Sequence, residues 1–251
     1  MSSPLIGAKV LVTNPEAQRL HEAGLQAELN GDYAQAHDAF NDAQQILAGV
    51  SPTLDTIVQS AHINRDNGFT YVRAAIADSN PTIFDQALAT ISHSVEATAP
   101  LVSNIDLLQS HVSPKKTRTE LLAEHGATVS LLGRAATVKE VMLGIDTRGD
   151  DEAAHNARDV YQQPYSQAHD ILRSGNNGYY LVSNAMVAAR QELLNSRLLQ
   201  MSVWLGRAAT GVVWTALQDP TNLRAAVRTV GSRVRHLRSY QAAIASVTTN
   251  P

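Results

Sequence analysis

Residues 20–43 of the chain read LHEAGLQAELNGDYAQAHDAFNDA. Apolar and small residues recur there three and four positions apart on both sides of Gly31, as expected for two amphipathic helices joined by a turn. Asn14-Pro15 is a typical helix start, because asparagine caps a free backbone N–H and proline has none to leave unpaired. Gly31 and Gly49 stand where left-handed helix caps would be required. We therefore predict helices over 15–30 and 33–48.

Part of this stretch recurs along the chain. Each copy has an aromatic residue, an alanine three positions later and a large apolar residue after four more, and the copies begin at Tyr33, Phe84 and Tyr165. These positions share one helix face, and the alanine lets a neighbouring helix come close. Further caps, prolines and glycines predict helices over 52–78, 81–98, 114–147, 150–162, 165–174, 177–217 and 220–246. Residues 6–12 are predicted as a short strand or an extended arm.

A second duplicated phrase, LGRAAT, begins at Leu132 and again at Leu205. The separation is close to two helix–turn–helix units, which favours a repeat architecture.

Residues 15–48 resemble a tetratricopeptide repeat. The resemblance rests on Leu20, Gly24 and Ala27 in the first helix, the turn, and Ala36, Phe40 and Ala43 in the second. It implies an all-α solenoid of stacked antiparallel helix pairs, with about nine to eleven helices. It also implies binding of proteins or peptides in a groove. We predict an extended arm over 1–13 and a single tetratricopeptide-like helical domain over 14–251. Some members clamp a carboxylate with Lys and Asn, but His21 and Leu25 stand at those positions here.

Composition excludes several classes of protein. The 251 residues are 44% hydrophobic and 17% charged with a net charge of −3, an ordinary globular balance. The chain has no cysteine, so disulfides and thiolate metal sites are excluded. The N-terminal residues do not resemble a secretory signal. Residues 198–217 are the only candidate membrane span, and Arg207 at their centre opposes insertion. We expect a soluble, cytoplasmic protein.

Motifs for catalysis are scarce. The chain has no phosphate-binding glycine loop, no zinc-protease motif and no nucleophile elbow. Ser113 fits a helix cap better than a nucleophile. Asp151 and His155 have the spacing of two metal ligands, but acids in a first helical turn also complement the helix dipole. The other histidines show no ligand spacing, and we predict no enzyme activity, no metal and no cofactor.

Charge is distributed unevenly along the chain. Residues 1–60 hold seven acids against two basic residues, whereas five arginines and no acid follow Asp219. One helix stripe carries four of these arginines, and we predict it as an anionic-partner surface: Arg224, Arg228, Arg235 and Arg238. A solvated face remains the alternative. Nucleic acid is disfavoured because aromatic residues do not interleave with the arginines.

The sequence therefore predicts a non-enzymatic scaffold that binds a protein or peptide, with an acidic partner and self-association as further expectations. Candidate groove residues are His21, His37 and His169. Two alternatives stay open. The first is a sensor or regulator with a small molecule or signalling peptide in an inner cavity lined by Trp204, Trp214, Tyr179 and Tyr180, although core packing also accounts for these aromatics. The second is an all-helical enzyme.

Overall fold

The computed structural model describes residues 13–80, 82–104, 114–143, 152–174, 178–194 and 198–218, together with Arg224, Val227, Arg228 and Val230. Regular structure in these residues is entirely α-helical, which confirms the all-α prediction. The helices are α1 (Pro15–Leu29), α2 (Tyr33–Ala48), α3 (Leu54–Ala77), α4 (Ile83–Ser103), α5 (Pro114–Met142), α6 (Glu152–Ser174), α7 (Gly178–Leu194) and α8 (Leu198–Gln218). The predicted strand or arm at 6–12 lies outside the described residues.

The ends of α1 agree with the prediction made from its cap residues. The Asn14 side chain accepts hydrogen bonds from the backbone N–H groups of Glu16 and Ala17, and Gly31 has the left-handed φ of +80°. Gly49 differs from the prediction, because it has a φ of −80° in the right-handed region. The cap of α3 is Thr53, two residues after the predicted Ser51, and its hydroxyl group forms a reciprocal capping box with Thr56.

Three predicted boundaries were wrong. The helix predicted to end at residue 98 continues to Ser103, with Pro100 inside it. Residues 152–174 form one helix, and Pro164 lies inside it. Its buried positions keep one face on both sides of the proline, from Ala154 and Ala157 to Tyr165 and Leu172. Burial of this continuous face outweighs the backbone hydrogen bond that proline removes. The predicted helix 177–217 is instead two helices, α7 and α8, which pack against each other.

Helices of the first part of the chain pack in sequence order and also at alternate positions. α1 contacts α2, α2 contacts α3, α3 contacts α4 and α4 contacts α5, and α3 also contacts both α1 and α5. In the first pair, a Cβ on Gly24 would lie 2.6 Å from the Phe40 ring, and in the second pair Gly68 meets Ile91 in the same way. Both helix pairs are therefore closed by a glycine against a large, fully buried side chain.

The chain divides into two compact units, one up to Ile171 and the other from Leu172 onward. α1–α5 belong to the first unit, and α7 and α8 belong to the second. That residues 14–251 form a single domain remains a prediction. In the described residues, no helix is both long enough and apolar enough to cross a bilayer.

Candidate functional site

Polar contacts between α1 and α3 form a regular ladder. The backbone N–H of Asn14 donates to Gln59 Oε1 at 3.1 Å, His21 Nε2 lies 2.9 Å from Asp66 Oδ2, and Arg73 Nη1 donates to Glu28 Oε1 at 2.7 Å. All three pairs are 45 residues apart in sequence. Their rungs are spaced by seven residues on both helices, so α1 and α3 run in the same direction in a fixed register.

The middle rung belongs to a larger buried cluster that α5 completes. His62, one turn before Asp66 on α3, has its Nε2 atom 3.4 Å from Asp66 Oδ2. The Nδ1 atom of His62 lies 2.8 Å from Oε2 of Glu124 on α5. The guanidinium of Arg65 donates to Glu124 Oε2 at 2.7 Å and to Asp66 Oδ1 at 2.8 Å. The cluster thus joins the three helices α1, α3 and α5.

Its members are buried from solvent. Arg65 is 1% exposed and His21 is 2% exposed, and His62, Asp66 and Glu124 are also buried. Burying such charges without partners would be strongly unfavourable, so each charge needs a close counter-charge. Arg65 supplies one positive charge to the two carboxylates. With neutral imidazoles, the cluster carries a net charge of −1.

Electrostatics keep both carboxylates ionised. Burial alone would raise the pKa of Asp66, but the Arg65 guanidinium and the hydrogen bond with His21 outweigh it and lower the pKa well below its usual range. Burial would also raise the pKa of Glu124, but the Arg65 guanidinium and the hydrogen bond with His62 lower it below its ordinary value. Two permanent carboxylates therefore face two imidazole rings in the interior.

Two further histidines lie near this layer without joining the cluster. His37 on α2 is hydrogen-bonded to Asn67 and stacks on the Tyr71 ring at 3.6 Å between centroids. His125 on α5 lies 2.6 Å from the Thr98 hydroxyl. Burial lowers the pKa of both imidazoles. These side chains are held as neutral packing groups at neutral pH.

The second unusual feature of the structure is the exposed face of α8. Its buried side packs on α7, where Gly211 meets Val182. Arg207 is half-buried and lies over the Trp204 ring. Among the described side chains of α8, the exposed ones are uncharged: Leu199, Ser202, Val203, Gly206, Ala209, Thr210, Val213, Ala216 and Leu217. Leu199 is 77% exposed and Leu217 is 74% exposed. An exposed helix of a soluble domain usually carries charged residues on this side, so the face is atypical.

Predicted site residues fall in several environments. Arg224 and Arg228 are exposed, whereas Arg235 and Arg238 lie outside the described residues. Of the candidate groove residues, His21 lies inside the cluster, His37 is half-buried, and His169 is buried on α6.

Of the predicted metal-ligand and capping candidates, the described residues include only His155. His155 is exposed and lies 3.8 Å from Asp159. Ser113 and Asp151 lie outside the described residues.

The sequence interpretation missed the cluster. One signal was present, because His62 and Asp66 stand four residues apart on a helix, the spacing of two ligands on one face. The statement that the remaining histidines show no ligand spacing was wrong for this pair. His21 and Glu124 lie far away in sequence, and only the packing of α1 and α5 against α3 brings them to it.

Comparison with protein-family models, curated proteins and solved structures finds no match for this chain.

Proposed function

We propose that the chain is a non-enzymatic protein-binding scaffold of tetratricopeptide-like helix pairs, and that it pairs with a second copy of itself through α8. One observation carries the proposal, namely the uncharged, largely apolar exposed face of α8. Large exposed apolar patches on soluble proteins typically mark interaction surfaces. The matching glycine contacts of α1–α2 and α3–α4 support the repeat architecture.

The spacing on α8 favours a second copy as the occupant. Six exposed positions follow one another at intervals of four, three, four, three and four residues, the pattern of a helix-pairing seam. We call them the α8 stripe: Leu199, Val203, Gly206, Thr210, Val213 and Leu217. The stripe reads Leu, Val, Gly from one end and Leu, Val, Thr from the other. It is therefore nearly self-complementary, as a two-fold interface requires.

Two α8 helices, one from each copy, can pair antiparallel about the level of Ala208 and use this symmetry. Leu199 would face Leu217 of the second copy, Val203 would face Val213, and the small residues Gly206 and Thr210 would meet at the crossing. A Cβ on Gly206 would find no atom within 4 Å, so nothing in the chain itself fills this position. The stripe is about 27 Å long at 1.5 Å per residue. Because this is a short interface, we expect a dissociation constant of about micromolar size.

The aromatic residues of the second unit favour a scaffold over a sensor. Trp204 is 5% exposed, and the Arg207 guanidinium lies 4.3 Å from its ring centroid. A packed tryptophan covered by its neighbour is an element of the core, whereas a sensor needs aromatic side chains that face a cavity. Side chains of Tyr179 and Tyr180 lie outside the described part of α7.

Sedimentation velocity over about 1–100 μM tests self-association, since that range spans the expected constant. Val203→Glu should abolish the dimer because it places two carboxylates in the apolar seam. The double variant Val203→Glu/Val213→Lys should restore it, because each glutamate then faces a lysine of the second copy. Ile76→Glu on α3 is the matched control, since Ile76 is 51% exposed and lies off the stripe. A monomeric wild type, or equal loss in the control, would refute the proposal.

The salt dependence of association distinguishes the α8 stripe from the arginine surface. Contacts of Arg224, Arg228, Arg235 and Arg238 with an acidic partner would weaken as salt rises, because exposed charges are screened over about 10 Å at 0.1 M. Apolar pairing through α8 would persist at high salt. Changing the four arginines to Gln should leave the melting temperature within a few degrees and leave α8 pairing intact. Loss of the dimer in this variant at every salt concentration would transfer self-association to the arginine surface.

A further inference from the structure

We propose that His21, His62 and Asp66 bind one divalent transition-metal ion of the zinc class between α1 and α3. The Nε2 atoms of both histidines and a carboxylate oxygen of Asp66 converge, and all three lie within 4.8 Å of one another. Two imidazoles and one carboxylate are a common ligand set for zinc and for other first-row divalent ions. This inference is independent of self-association through α8.

Two distances in the cluster match those between ligands of such an ion. Zinc binds nitrogen and oxygen at about 2.0–2.2 Å, so two ligand atoms lie about 3.4 Å apart in a tetrahedral site and about 2.9 Å apart in an octahedral one. Asp66 Oδ2 lies 2.9 Å from His21 Nε2 and 3.4 Å from His62 Nε2. Each imidazole is therefore spaced from Asp66 as two ligands of one ion would be.

Glu124 orients His62 for this role. Its carboxylate accepts the Nδ1–H of His62 at 2.8 Å, which leaves the lone pair of Nε2 pointing toward Asp66. Carboxylate–histidine–metal chains of this kind fix the tautomer and raise the basicity of the ligand. A neutral His62 would hold its Nε2 lone pair 3.4 Å from the Asp66 carboxylate oxygen, with Arg65 Nη2 as a long donor at 3.4 Å. A positive charge between them removes this repulsion.

Arg65 leaves the ligand atom of Asp66 available. Its Nε and Nη2 atoms donate to Oδ1 of Asp66, at 3.1 and 2.8 Å, whereas both histidines approach Oδ2. Arg65 thus anchors one oxygen while the other faces the site. If both imidazoles were neutral the cluster would carry a net charge of −1, and either a proton on an imidazole or a metal ion would balance it. The experiment distinguishes these two.

Untagged full-length protein is stripped with a chelator and titrated with Zn²⁺, and bound metal is counted after dialysis. We expect one Zn²⁺ per chain. At 100 times the dissociation constant, binding to the folded state alone should raise the melting temperature by about 5–10 °C. X-ray absorption of the zinc-loaded wild type should show two imidazoles and a carboxylate, a readout that needs no variant to fold.

Variants then assign the ligands. His21→Gln should remove stoichiometric binding, and Glu124→Gln should weaken it about 10- to 100-fold through the lost support of His62. Controls are His93→Gln, which removes an exposed imidazole, and His125→Gln, which removes a buried one beside the cluster. Both should bind zinc like the wild type. Helical circular dichroism confirms that each variant is folded.

Three results would overturn the proposal. The first is no stoichiometric zinc in the wild type, which would assign the missing charge to a proton. The second is equal loss of zinc in His93→Gln, which would indicate a surface ion. The third is an absorption spectrum without imidazole ligands.

Discussion

Gly24→Ala tests whether the first helix pair is as closely packed as the structure indicates. A Cβ at this position would lie 2.6, 2.8 and 3.0 Å from three carbons of the Phe40 ring. Carbon atoms pack at about 3.5–4.0 Å, so the ring must move by close to 1 Å. Phe40 is fully buried and has no open side toward which to move.

Two effects of opposite sign decide the stability of this variant. Alanine is favoured over glycine inside a helix by about 1 kcal/mol. Overpacking a filled core costs about 1–3 kcal/mol. The expected net effect is therefore a loss of about 0–2 kcal/mol in the free energy of unfolding.

The adjacent exposed residue supplies the control. Ala23→Gly on the same helix changes only helix propensity, because Ala23 faces solvent, and it should cost about 1 kcal/mol. Both variants are measured by urea unfolding followed by helical circular dichroism. If Gly24→Ala stabilises the protein by as much as Ala23→Gly destabilises it, the close contact with Phe40 is absent. The close packing of α1 against α2 would then be wrong.

Three further predictions concern the same unit. Ala87→Leu should cost about 1–3 kcal/mol of unfolding free energy through overpacking, whereas Ala89→Leu, at an exposed position two residues away, should stay within about 0.5 kcal/mol; equal effects would show that the second hairpin is loosely packed. Arg65→Leu should cost about 3–5 kcal/mol because it leaves buried carboxylates without their counter-charge, and a near-neutral result in urea unfolding would mean that water reaches the cluster. The lowered pKa of His125 favours the neutral imidazole in the folded state, so stability should be full above the unfolded pKa of about 6.5 and should decline below it. Unfolding free energies at pH 7 and pH 5 should differ less in His125→Gln than in the wild type, and an unchanged difference would assign the decline to other groups.

Local features of the first hairpin were accessible from sequence. Asn14, Gly31 and Phe40 act through residues close to them along the chain or across one short turn, so their spacing alone predicts their roles. The helix boundary at Pro164 was not accessible in this way. A proline that breaks an isolated helix is tolerated when the buried face continues past it, and this depends on tertiary packing.

The buried cluster could not be predicted from local sequence patterns either, because it also depends on tertiary packing. His62 and Asp66 are one turn apart, and their shared face is visible in the sequence. Their partners arrive from α1 and α5, and the sequence patterns did not indicate a 45-residue offset between parallel helices. The α8 stripe was also missed as a surface. From sequence alone, its apolar positions fit a buried central helix. Only the packing of α8 on α7 shows which of these positions are buried and which are exposed.

The ladder between α1 and α3 has a consequence for sliding of one helix along the other. Because its rungs repeat every seven residues on both helices, a slip of one heptad would bring rung positions face to face again. In one direction Glu28 would meet Asp66, and in the other His21 would meet Arg73. Each displaced alignment therefore sets like charges, or an imidazole and a guanidinium, against each other in a poorly hydrated layer. Of the three alignments of α1 and α3 that lie one heptad apart, only the observed one is free of this repulsion.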